Sequence, residues 1–518
     1  MKWSRGLVAV VLVAAALRVP SLLHDGIWRD EANVYVELTA ATFGAFLHRV
    51  AAIDFHPPLY FILAYGWVKI AGLSEVSLKA LPFVFSVATV PIVYRLGKAA
   101  DSEAAGFVAA TLFAVAPLTI NYSTMYLYPL AILADGLLAL AVTTARRKPD
   151  SALQYAAVFG ATVLAVYSHY TGLILAAILA VWALWAPRGW KHGARLACTI
   201  VLGVLPFAFW LPVFLHQHHV GLPYQAPASF SRSAQAVTLA LAQLVPVPPM
   251  PVAVALFVAV LAPGAVVALR TRGWQSDAFA LGAVSICAIL AVASTGLLVV
   301  RYVLPFCSLF YVCLAWLLTL TARQLESNDP STWRRWRAPV TAVLTAALVY
   351  ANTAYTLAET RLPRSGIRTF LTTVPVDPRT LYVIAPDYAA PEFAYYARDS
   401  GARFIGFARI DRPEIFVLDD YEAIWNDGTL VSKVQAAIAS RAAQFRYLDV
   451  VVDDNARDQY HIPFSRVRQL ITALQQQYDL VERRDYPGRW EPISVYRFRL
   501  TVESRAKELQ GPRRRAIR

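Results

Sequence analysis

Cysteine is scarce in this sequence of 518 residues, which contains only four. All four (Cys198, Cys287, Cys307 and Cys313) lie in apolar segments, and none follows residue 313. The rest of the chain therefore has no disulfide framework. Neither a G-x-G-x-x-G sequence nor a Walker A sequence occurs, so the sequence gives no reason to infer a nucleotide site.

Charged residues are also few, at 16% of the chain, whereas 57% of residues are apolar and the mean hydropathy is +0.47. Soluble domains carry about 25% charged residues, so this composition excludes an ordinary soluble protein. The net charge of +14 does not indicate nucleic acid as a partner, because Lys and Arg gather in short loops, where they set the orientation of a membrane protein. Many apolar runs reach the roughly 18–20 residues that cross a bilayer. The sequence predicts a polytopic α-helical membrane protein.

We predict about eleven transmembrane helices. The first is interpreted as a retained helix rather than a cleaved signal peptide, because no small-residue cleavage site follows it. Basic loops alternate with loops poor in Lys and Arg, which places the basic loops and the N-terminus in the cytoplasm. An odd number of crossings then puts the C-terminal part outside the cytoplasmic (inner) membrane. The predicted spans are 6–23, 80–97, 104–120, 127–145, 152–168, 171–187, 196–215, 250–269, 278–296, 302–321 and 338–357.

The composition divides the chain into a membrane domain at 1–358 and an extracytoplasmic domain at 359–518. The first outer loop, 24–79, contains two segments that are too short or too polar to cross, which favours helices lying at the interface. In the C-terminal domain strand-like and helix-like segments alternate, which is typical of a soluble α/β domain.

Six groups of polar residues, distant in sequence, fall on the predicted outer face, where ionisable side chains near hydrocarbon are costly and usually functional. Each also has a purely structural interpretation: an arginine reaching the headgroups, acids capping a helix, Pro57 starting one, or a buried imidazole. Their joint occurrence on one face favours a site. The groups are Arg18, Asp30 with Glu31, Asp54 with His56, residues 121–128, residues 168–170, and Arg301 with Tyr302.

A carboxylate beside a membrane with cations nearby suits group transfer from a lipid-linked phosphate. Asp30 is the candidate base for an attacking hydroxyl, and the adjacent Glu31 diverges from it by about 100° on a helix, so Glu31 has a supporting role. Candidates for neutralising a phosphate leaving group are Arg301, Arg18 and His56. The aromatic residues Trp28, Tyr35 and Tyr170 are candidates to stack on a sugar or lie at headgroup level.

Four segments, in this order, resemble motifs of one family of membrane enzymes. They are IWRDEANVY, DFHPPLYFILAYGW, SHYTGLIL and RYVLPFCSLFYVCLA. Together with Arg18, they resemble the GT-C superfamily of membrane glycosyltransferases, in the glycosyltransferase family 39 branch that contains protein O-mannosyltransferases and aminoarabinose transferases. The resemblance covers roughly 350 residues.

This resemblance implies an inverting glycosyltransferase for a hexosyl or pentosyl group, with Asp30 as catalytic base. It implies a polyprenyl-phosphate sugar as donor, a glycan, lipid or protein as acceptor, and transfer outside the cytoplasmic membrane. Glu31, His56 and Arg301 are expected to support catalysis. Substrate contacts are expected at Arg18, Trp28, Tyr35, Asp54, Tyr122, Tyr128, His169, Tyr170 and Tyr302.

The chain departs from its relatives at two places. Phe55 stands where aminoarabinose transferases have a glutamate, which leaves Asp54 and His56 as candidate ligands for a divalent metal. The segment NYSTMYLYPL lacks the acid and the arginine of many relatives, and only Tyr122, Ser123 and Tyr128 match. Two alternatives stay open: a protein O-mannosyltransferase with a Ser or Thr acceptor, and a membrane transporter or lipid flippase.

Overall fold

The computed structural model describes residues 4–500 except 222–228, 272, 297–299, 329, 412 and 459–460. The chain forms two compact units. The helical unit comprises Met1–Asp25, Phe55–His219 and Gln225–Arg361. The α/β unit comprises Gly26–Asp54, Val220–Tyr224 and Leu362–Arg518, so most of the first predicted outer loop packs with the C-terminal part of the chain.

Helices make up the chain as far as residue 361. In order they are α1 Arg5–His24, α2 Arg29–Leu38, α3 Phe43–Ile53, α4 Leu59–Ala71, α5 Glu75–Ala100, α6 Glu103–Val115, α7 Pro117–Asn121, α8 Tyr128–Arg147, α9 Ala152–Ser168, α10 Thr171–Ala183, α11 Trp190–Val204, α12 Leu211–Val220, α13 Phe230–Leu244, α14 Pro251–Arg270, α15 Asp277–Ser294, α16 Cys307–Asn328 and α17 Pro330–Glu359.

Each predicted span overlaps helix in the helical unit, but the spans predicted at 104–120 and 196–215 are each divided between two helices. Within the described ranges, seven helical segments are long and apolar enough to cross a membrane. The predicted spans at 104–120, 152–168 and 171–187 correspond to apolar helices of 13 to 17 residues. A polytopic helical membrane protein is thus confirmed.

The three helices of the first predicted outer loop are short. They have 10, 11 and 13 residues, and the longest, α4, extends only about 20 Å at 1.5 Å per residue. This is less than the about 30 Å of a hydrocarbon core, so none of them spans it.

The α/β unit continues with α18 Gly366–Thr373, β1 Thr380–Ala385, α19 Ala390–Ala397, β2 Arg403–Gly406, α20 Tyr421–Asn426, α21 Leu430–Ala439, β3 Tyr447–Asp453, α22 Ser465–Gln477, β4 Asp479–Tyr486 and β5 Ile493–Arg499. The described strands form one sheet in the order β2-β1-β3-β5-β4. Strand β1 is parallel to both its neighbours, whereas β5 is antiparallel to β3 and β4. The predicted α/β domain is confirmed.

Side chains that alternate along the central strands build a core on each face of the sheet. Leu381, Val383 and Val450 pack with α21 and α22 on one face. Tyr382 and Ile384 pack with α18 and α19 on the other. Because both faces are covered, β1 is buried along its whole length, as central parallel strands are. Because β1 and β3 are parallel neighbours, their carboxyl ends lie at the same edge of the sheet.

Candidate active site

Glu31 holds the start of α2. Its Oε2 accepts the backbone N–H of Trp28 at 3.0 Å, which caps the helix, and its Oε1 accepts a hydrogen bond from Arg364 Nη1 at 3.1 Å. Glu31 is 4% exposed and Arg364 is fully buried. The contacts of Glu31 are those of a residue that fixes the loop.

Asp30 diverges from its neighbour, as adjacent residues on a helix must. Its side chain is 23% exposed, and its Oδ1 lies 3.6 Å from Arg29 Nε. The first turn of a helix is also the place where the helix dipole stabilises a negative charge. Of the two adjacent acids, Asp30 is therefore the one that is accessible to a reactant.

Two of the three aromatic residues predicted to stack on sugar, Trp28 and Tyr35, pack against the C-terminal part of the α/β unit. Trp28 is 6% exposed, and its ring lies edge-to-face against Trp490 with 5.1 Å between centroids. Tyr35 lies edge-to-face against Tyr395 at 4.8 Å. Both rings thus stabilise the packing of α2, and their predicted contact with substrate stays a prediction.

A second carboxylate pair lies near the far end of α2. Glu37 is fully buried, and within the described residues neither of its carboxylate oxygens has a hydrogen-bond partner. Burial raises the pKa of Glu37, and the charge of Asp54 raises it further. The pair therefore favours a bound proton on Glu37. Asp54 itself ends α3 and is 8% exposed.

In the helical unit, aromatic and imidazole rings from distant segments form one cluster. His56 precedes α4, and its ring centroid lies 5.3 Å from His169 and 5.9 Å from Tyr126. Tyr128 contacts both imidazoles, at 6.3 Å from His56 and 5.7 Å from His169. Tyr302 lies 5.8 Å from His169. We call these five residues the His56 cluster.

His169 has a hydrogen-bond pattern that assigns its tautomer. The backbone N–H of Thr171 donates to His169 Nδ1 at 3.2 Å, and the Thr171 hydroxyl lies 2.7 Å from the same nitrogen. Nδ1 is therefore the acceptor, and Nε2 carries the proton. Nε2 is buried and has no hydrogen-bond partner among the described residues. Burial lowers the pKa of His169 well below its usual range, and His56 and Arg301 lower it further, so the imidazole is neutral.

Two further predicted residues lie beside the His56 cluster. Tyr122 lies edge-to-face against Tyr128 at 6.1 Å. Arg301 has its guanidinium carbon 5.7 Å from the centre of the Tyr302 ring and is close enough to lower the pKa of His169. The helical unit thus brings six of its predicted site residues together: His56, Tyr122, Tyr128, His169, Arg301 and Tyr302.

Tyr170 and Arg18 have other partners. The Tyr170 hydroxyl donates to Gln217 Oε1 at 2.5 Å and accepts from Trp210 Nε1 at 3.1 Å. Arg18 is fully buried. Its guanidinium donates to Ser86, Thr119 and the carbonyls of Ala14, Phe113 and Ala114. These bonds occupy all five N–H groups of Arg18, so none is left for a phosphate.

No group of three or more His, Cys, Asp or Glu side chains among the described residues is arranged to hold a metal ion. Asp54 and His56, the candidate ligands, belong to different units. Their metal role stays a prediction.

The chain resembles solved structures over nearly its whole length. ArnT from Cupriavidus metallidurans in the apo state matches with a TM-score of 0.59 at 14% identity, covering 98% of both chains. The same protein bound to undecaprenyl phosphate matches at 0.57 and 12%, also over 98% of both chains. The apo oligosaccharyltransferase of Archaeoglobus fulgidus matches at 0.51 and 15%, covering 86% of this chain and 69% of that one. No family model and no curated protein matches the sequence.

The chain has the GT-C fold. This confirms the fold that the sequence resemblance predicted, including a C-terminal domain beyond the membrane helices. In the GT-C fold of this chain, the predicted site residues form two groups, one in each unit. The His56 cluster and Arg301 belong to the helical unit, and Trp28, Asp30 and Glu31 belong to the α/β unit.

Several residues of these groups were not predicted from the sequence. Tyr126 is one, although it lies in the segment NYSTMYLYPL, which also contains Tyr122 and Tyr128. The others are the partners of the Trp28–Glu31 segment: Arg364, Trp490 and Glu491. They lie more than 300 residues away in sequence, and no local pattern marks them. Arg29 is not among the predicted site residues, although an arginine next to a candidate base is itself a signal.

Proposed function

We propose that this protein is an inverting glycosyltransferase that moves a sugar from a polyprenyl-phosphate donor to an acceptor hydroxyl. The observation that carries this proposal is the match over 98% of both chains to ArnT, one of whose structures holds undecaprenyl phosphate. The accessible carboxylate of Asp30, at the start of a helix whose two other acids are buried, adds chemical support.

In the proposed reaction, Asp30 accepts the proton of the acceptor hydroxyl as its oxygen attacks the anomeric carbon. A new C–O bond forms on one face of the sugar while the bond to the phosphate oxygen breaks on the other, which inverts the configuration. Polyprenyl phosphate leaves with the bonding electrons. A transferase from such an activated donor needs one base, whereas a glycosidase needs two carboxylates.

The developing negative charge on the leaving phosphate needs donors and a cation. Arg301 supplies the positive charge, and His169 supplies an N–H that no described residue accepts. His56 and Tyr302 border this donor in the His56 cluster. We assign leaving-group stabilisation to these residues of the helical unit, and proton transfer to Asp30.

The test is a transfer assay with purified protein, polyprenyl-phosphate sugars, and glycan, lipid and Ser/Thr-peptide acceptors. We expect product of inverted configuration by NMR of the anomeric proton, and a loss of at least about 10²-fold in Asp30→Asn, as for loss of a general base. Asp399→Asn is the matched control, because it makes the same Asp-to-Asn change at a side chain that is 89% exposed. If Asp30→Asn transfers sugar at the wild-type rate, Asp30 is not the catalytic base.

The same preparation in proteoliposomes separates an enzyme from a transporter or lipid flippase. Sugar transfer without net movement of donor across the bilayer supports the enzyme. Movement of donor by a protein that transfers no sugar would contradict it. The acceptor that reacts also decides between a protein O-mannosyltransferase and an enzyme that modifies a glycan or lipid.

We also propose that the N-terminus is cytoplasmic and the α/β unit lies outside the cytoplasmic membrane. The basic loops support this orientation. In a chain without its four cysteines, a cysteine at Asp399 should react with a membrane-impermeant maleimide in intact cells. A cysteine at the exposed Lys148, between α8 and α9, should react only after permeabilisation. Labelling of both from the same side would contradict the proposed topology.

A further inference from the structure

The carboxyl ends of the parallel strands β1 and β3 form an edge that is rich in polar groups. Tyr388 follows β1, Asp453 ends β3, and Glu491 precedes β5, which pairs with β3 through Asp453 and Ile493. The Tyr388 hydroxyl donates to Asp453. In open α/β sheets this edge is the usual place for a ligand.

In this protein, Arg29 binds this edge of the sheet through its guanidinium group. Arg29 Nη1 lies 2.9 Å from Glu491 Oε1. The guanidinium carbon of Arg29 lies 4.7 Å from the centre of the Trp28 ring and 4.4 Å from that of Tyr388, so the cation is held between two aromatic rings. Burial by itself would lower the pKa of Arg29, but the charge of Glu491 and of three further groups raises it, so Arg29 is charged.

Arg29 also contacts the predicted base. Its Nε lies 3.6 Å from Asp30 Oδ1, so one guanidinium stands between the carboxylates of Asp30 and Glu491. Burial raises the pKa of Glu491 to about 8, with Asp453 and Asp30 adding to the rise and the Arg29 cation opposing it, so the ionised form of Glu491 depends on Arg29. When both carboxylates are ionised they carry like charges. Without the guanidinium the two acids would repel each other. Arg29 therefore determines where Asp30 is held as well as binding the sheet edge.

The other residues of the Ile27–Glu31 segment bind the C-terminal part of the α/β unit as well. The backbone N–H of Ile27 donates to the Tyr396 hydroxyl at 2.6 Å, Trp28 packs on Trp490, and Glu31 pairs with Arg364. Helix α2 has only 10 residues, and an isolated helix of that length is marginal in water. The position of its first turn therefore depends on these contacts.

We propose that Arg29 is a positioning residue for Asp30 and that Glu491 fixes Arg29, so that the α/β unit sets the geometry of the base. This inference rests on the proposed function. It assigns the C-terminal part of the chain a role in the rate of transfer, exerted through the Arg29–Glu491 pair.

The kinetic test compares Arg29→Gln and Glu491→Gln with wild type and with the control Glu482→Gln, which alters a half-buried glutamate paired with Arg484 on β4. Misplacing a catalytic group by about 1 Å costs up to about 10²-fold in rate. We expect kcat to fall by about tenfold or more in both variants, with KM for the donor within about twofold of wild type. Arg29→Lys, which keeps the charge without the flat stacking surface, should recover part of the loss.

The pH profile separates positioning from simple loss of stability. Removing the cation beside Asp30 should move the acidic limb of kcat/KM to higher pH in Arg29→Gln. Removing a negative neighbour should leave this limb in place or move it to lower pH in Glu491→Gln. The charged and titratable groups around Arg29 are Asp30, Glu491, Tyr388 and Asp453, together with the buried Glu392 on α19, which interacts electrostatically with both Arg29 and Glu491. Shifts of the same sign and size in both variants would overturn the inference.

Hydrogen–deuterium exchange gives a readout that needs no activity. Amides of residues 27–38 should exchange faster in both variants and at the wild-type rate in Glu482→Gln. If the wild-type protein transfers no sugar, the proposed function fails, and the exchange still reports whether the pair anchors α2. If Asp30→Asn is inactive while Arg29→Gln and Glu491→Gln keep wild-type kcat, the inference alone is overturned, whatever the exchange shows.

Discussion

Glu31 and Arg364 are 333 residues apart in sequence, and the structure joins them in a buried ion pair with 3.1 Å between Glu31 Oε1 and Arg364 Nη1. Arg364 also stacks over Trp490, with its guanidinium carbon 4.7 Å from the ring centre. The pair ties the first turn of α2 to the segment that leads into α18. Its consequences for stability can be measured.

Arg364→Met should destabilise the protein strongly, because it leaves the Glu31 carboxylate buried without its cation. Breaking one partner of a buried pair costs about 3–5 kcal/mol. The measurement is thermal unfolding of the full chain in detergent. Arg379→Met is the control, since Arg379 is 69% exposed and its pair with Asp377 belongs to a class that contributes roughly 0–1 kcal/mol.

A double variant makes the result specific to the pair. Glu31→Leu combined with Arg364→Met removes both charges, and replacing a whole buried pair by apolar groups is often neutral. The double variant should therefore be more stable than Arg364→Met alone. If the loss of stability in the double variant equals the sum of the losses in Glu31→Leu and Arg364→Met, the two side chains do not stabilise each other.

Arg18→Met should affect stability rather than binding of the donor. All five N–H groups of Arg18 bond within the helical unit, including the carbonyls of Phe113 and Ala114 at the end of α6. Each buried acceptor left without a donor costs about 1–3 kcal/mol. We expect a lower unfolding temperature and an unchanged KM for the polyprenyl-phosphate sugar. Normal stability with a raised KM would return Arg18 to the substrate-binding role that the sequence suggested.

Much of the fold follows from the sequence because hydrophobicity alone dictates it. The long apolar runs predict membrane helices, and the alternation of segments after residue 359 predicts the α/β sheet. Helices α6 and α10 show the limit of this reasoning. Each is shorter than the span predicted for it, because its apolar run continues past the helix end, into α7 and the turns near Tyr122 after α6 and into the turn near Trp185 after α10, which composition does not reveal.

The candidate site could be predicted only in part. Motif spacing identified His56, His169 and Tyr302, and the structure packs them together. The sequence allows Glu31 either a supporting or a capping role; the structure shows that it caps α2 and pairs with Arg364, and its supporting role in catalysis stays a prediction. The roles of Trp490 and Glu491 could not be predicted, because long-range pairing of this kind depends on tertiary packing and leaves no periodic signal in the chain.

Asp387 should make the stability of the α/β unit depend on pH. Burial raises the pKa of Asp387 to about 6, although the Tyr421 hydroxyl donates to it at 3.0 Å and Arg409 also favours its charged form. In the unfolded chain the pKa is about 3.9. Between these values the folded protein holds a proton that the unfolded chain has released, so stability falls as the pH rises from about 4 to 6.

The measurement is the unfolding temperature of wild type and Asp387→Asn across this range. Asparagine keeps the size of the side chain and an oxygen for Tyr421, but it does not titrate. The difference in stability between the variants should change by about 2 kcal/mol from pH 4 to pH 6, which is most of the full effect expected at about 1.4 kcal/mol per unit of pKa shift. If the unfolding temperatures of wild type and Asp387→Asn change in parallel with pH, Asp387 does not titrate between pH 4 and pH 6.

His169 is expected to act as a neutral hydrogen-bond donor. Thr171 fixes the proton on Nε2, and that N–H has no acceptor among the described residues. If it stabilises the leaving phosphate, His169→Leu should lower kcat by about 10²-fold, as for loss of one oxyanion donor. His169→Gln places an N–H near the same position and should retain more activity than His169→Leu. The exposed His48 offers a control for both substitutions.

The pH dependence distinguishes this role from that of an acid or a cation. Burial, with His56 and Arg301 nearby, lowers the pKa of His169 well below its usual range, so the imidazole stays neutral from about pH 6 to pH 8. Wild type and His169→Gln should then show rate profiles of the same shape in that range, differing only in height. A wild-type break near pH 6.5 that disappears in His169→Gln would mean that the protonated imidazole is the active form. The leaving group would then be neutralised by a second cation beside Arg301.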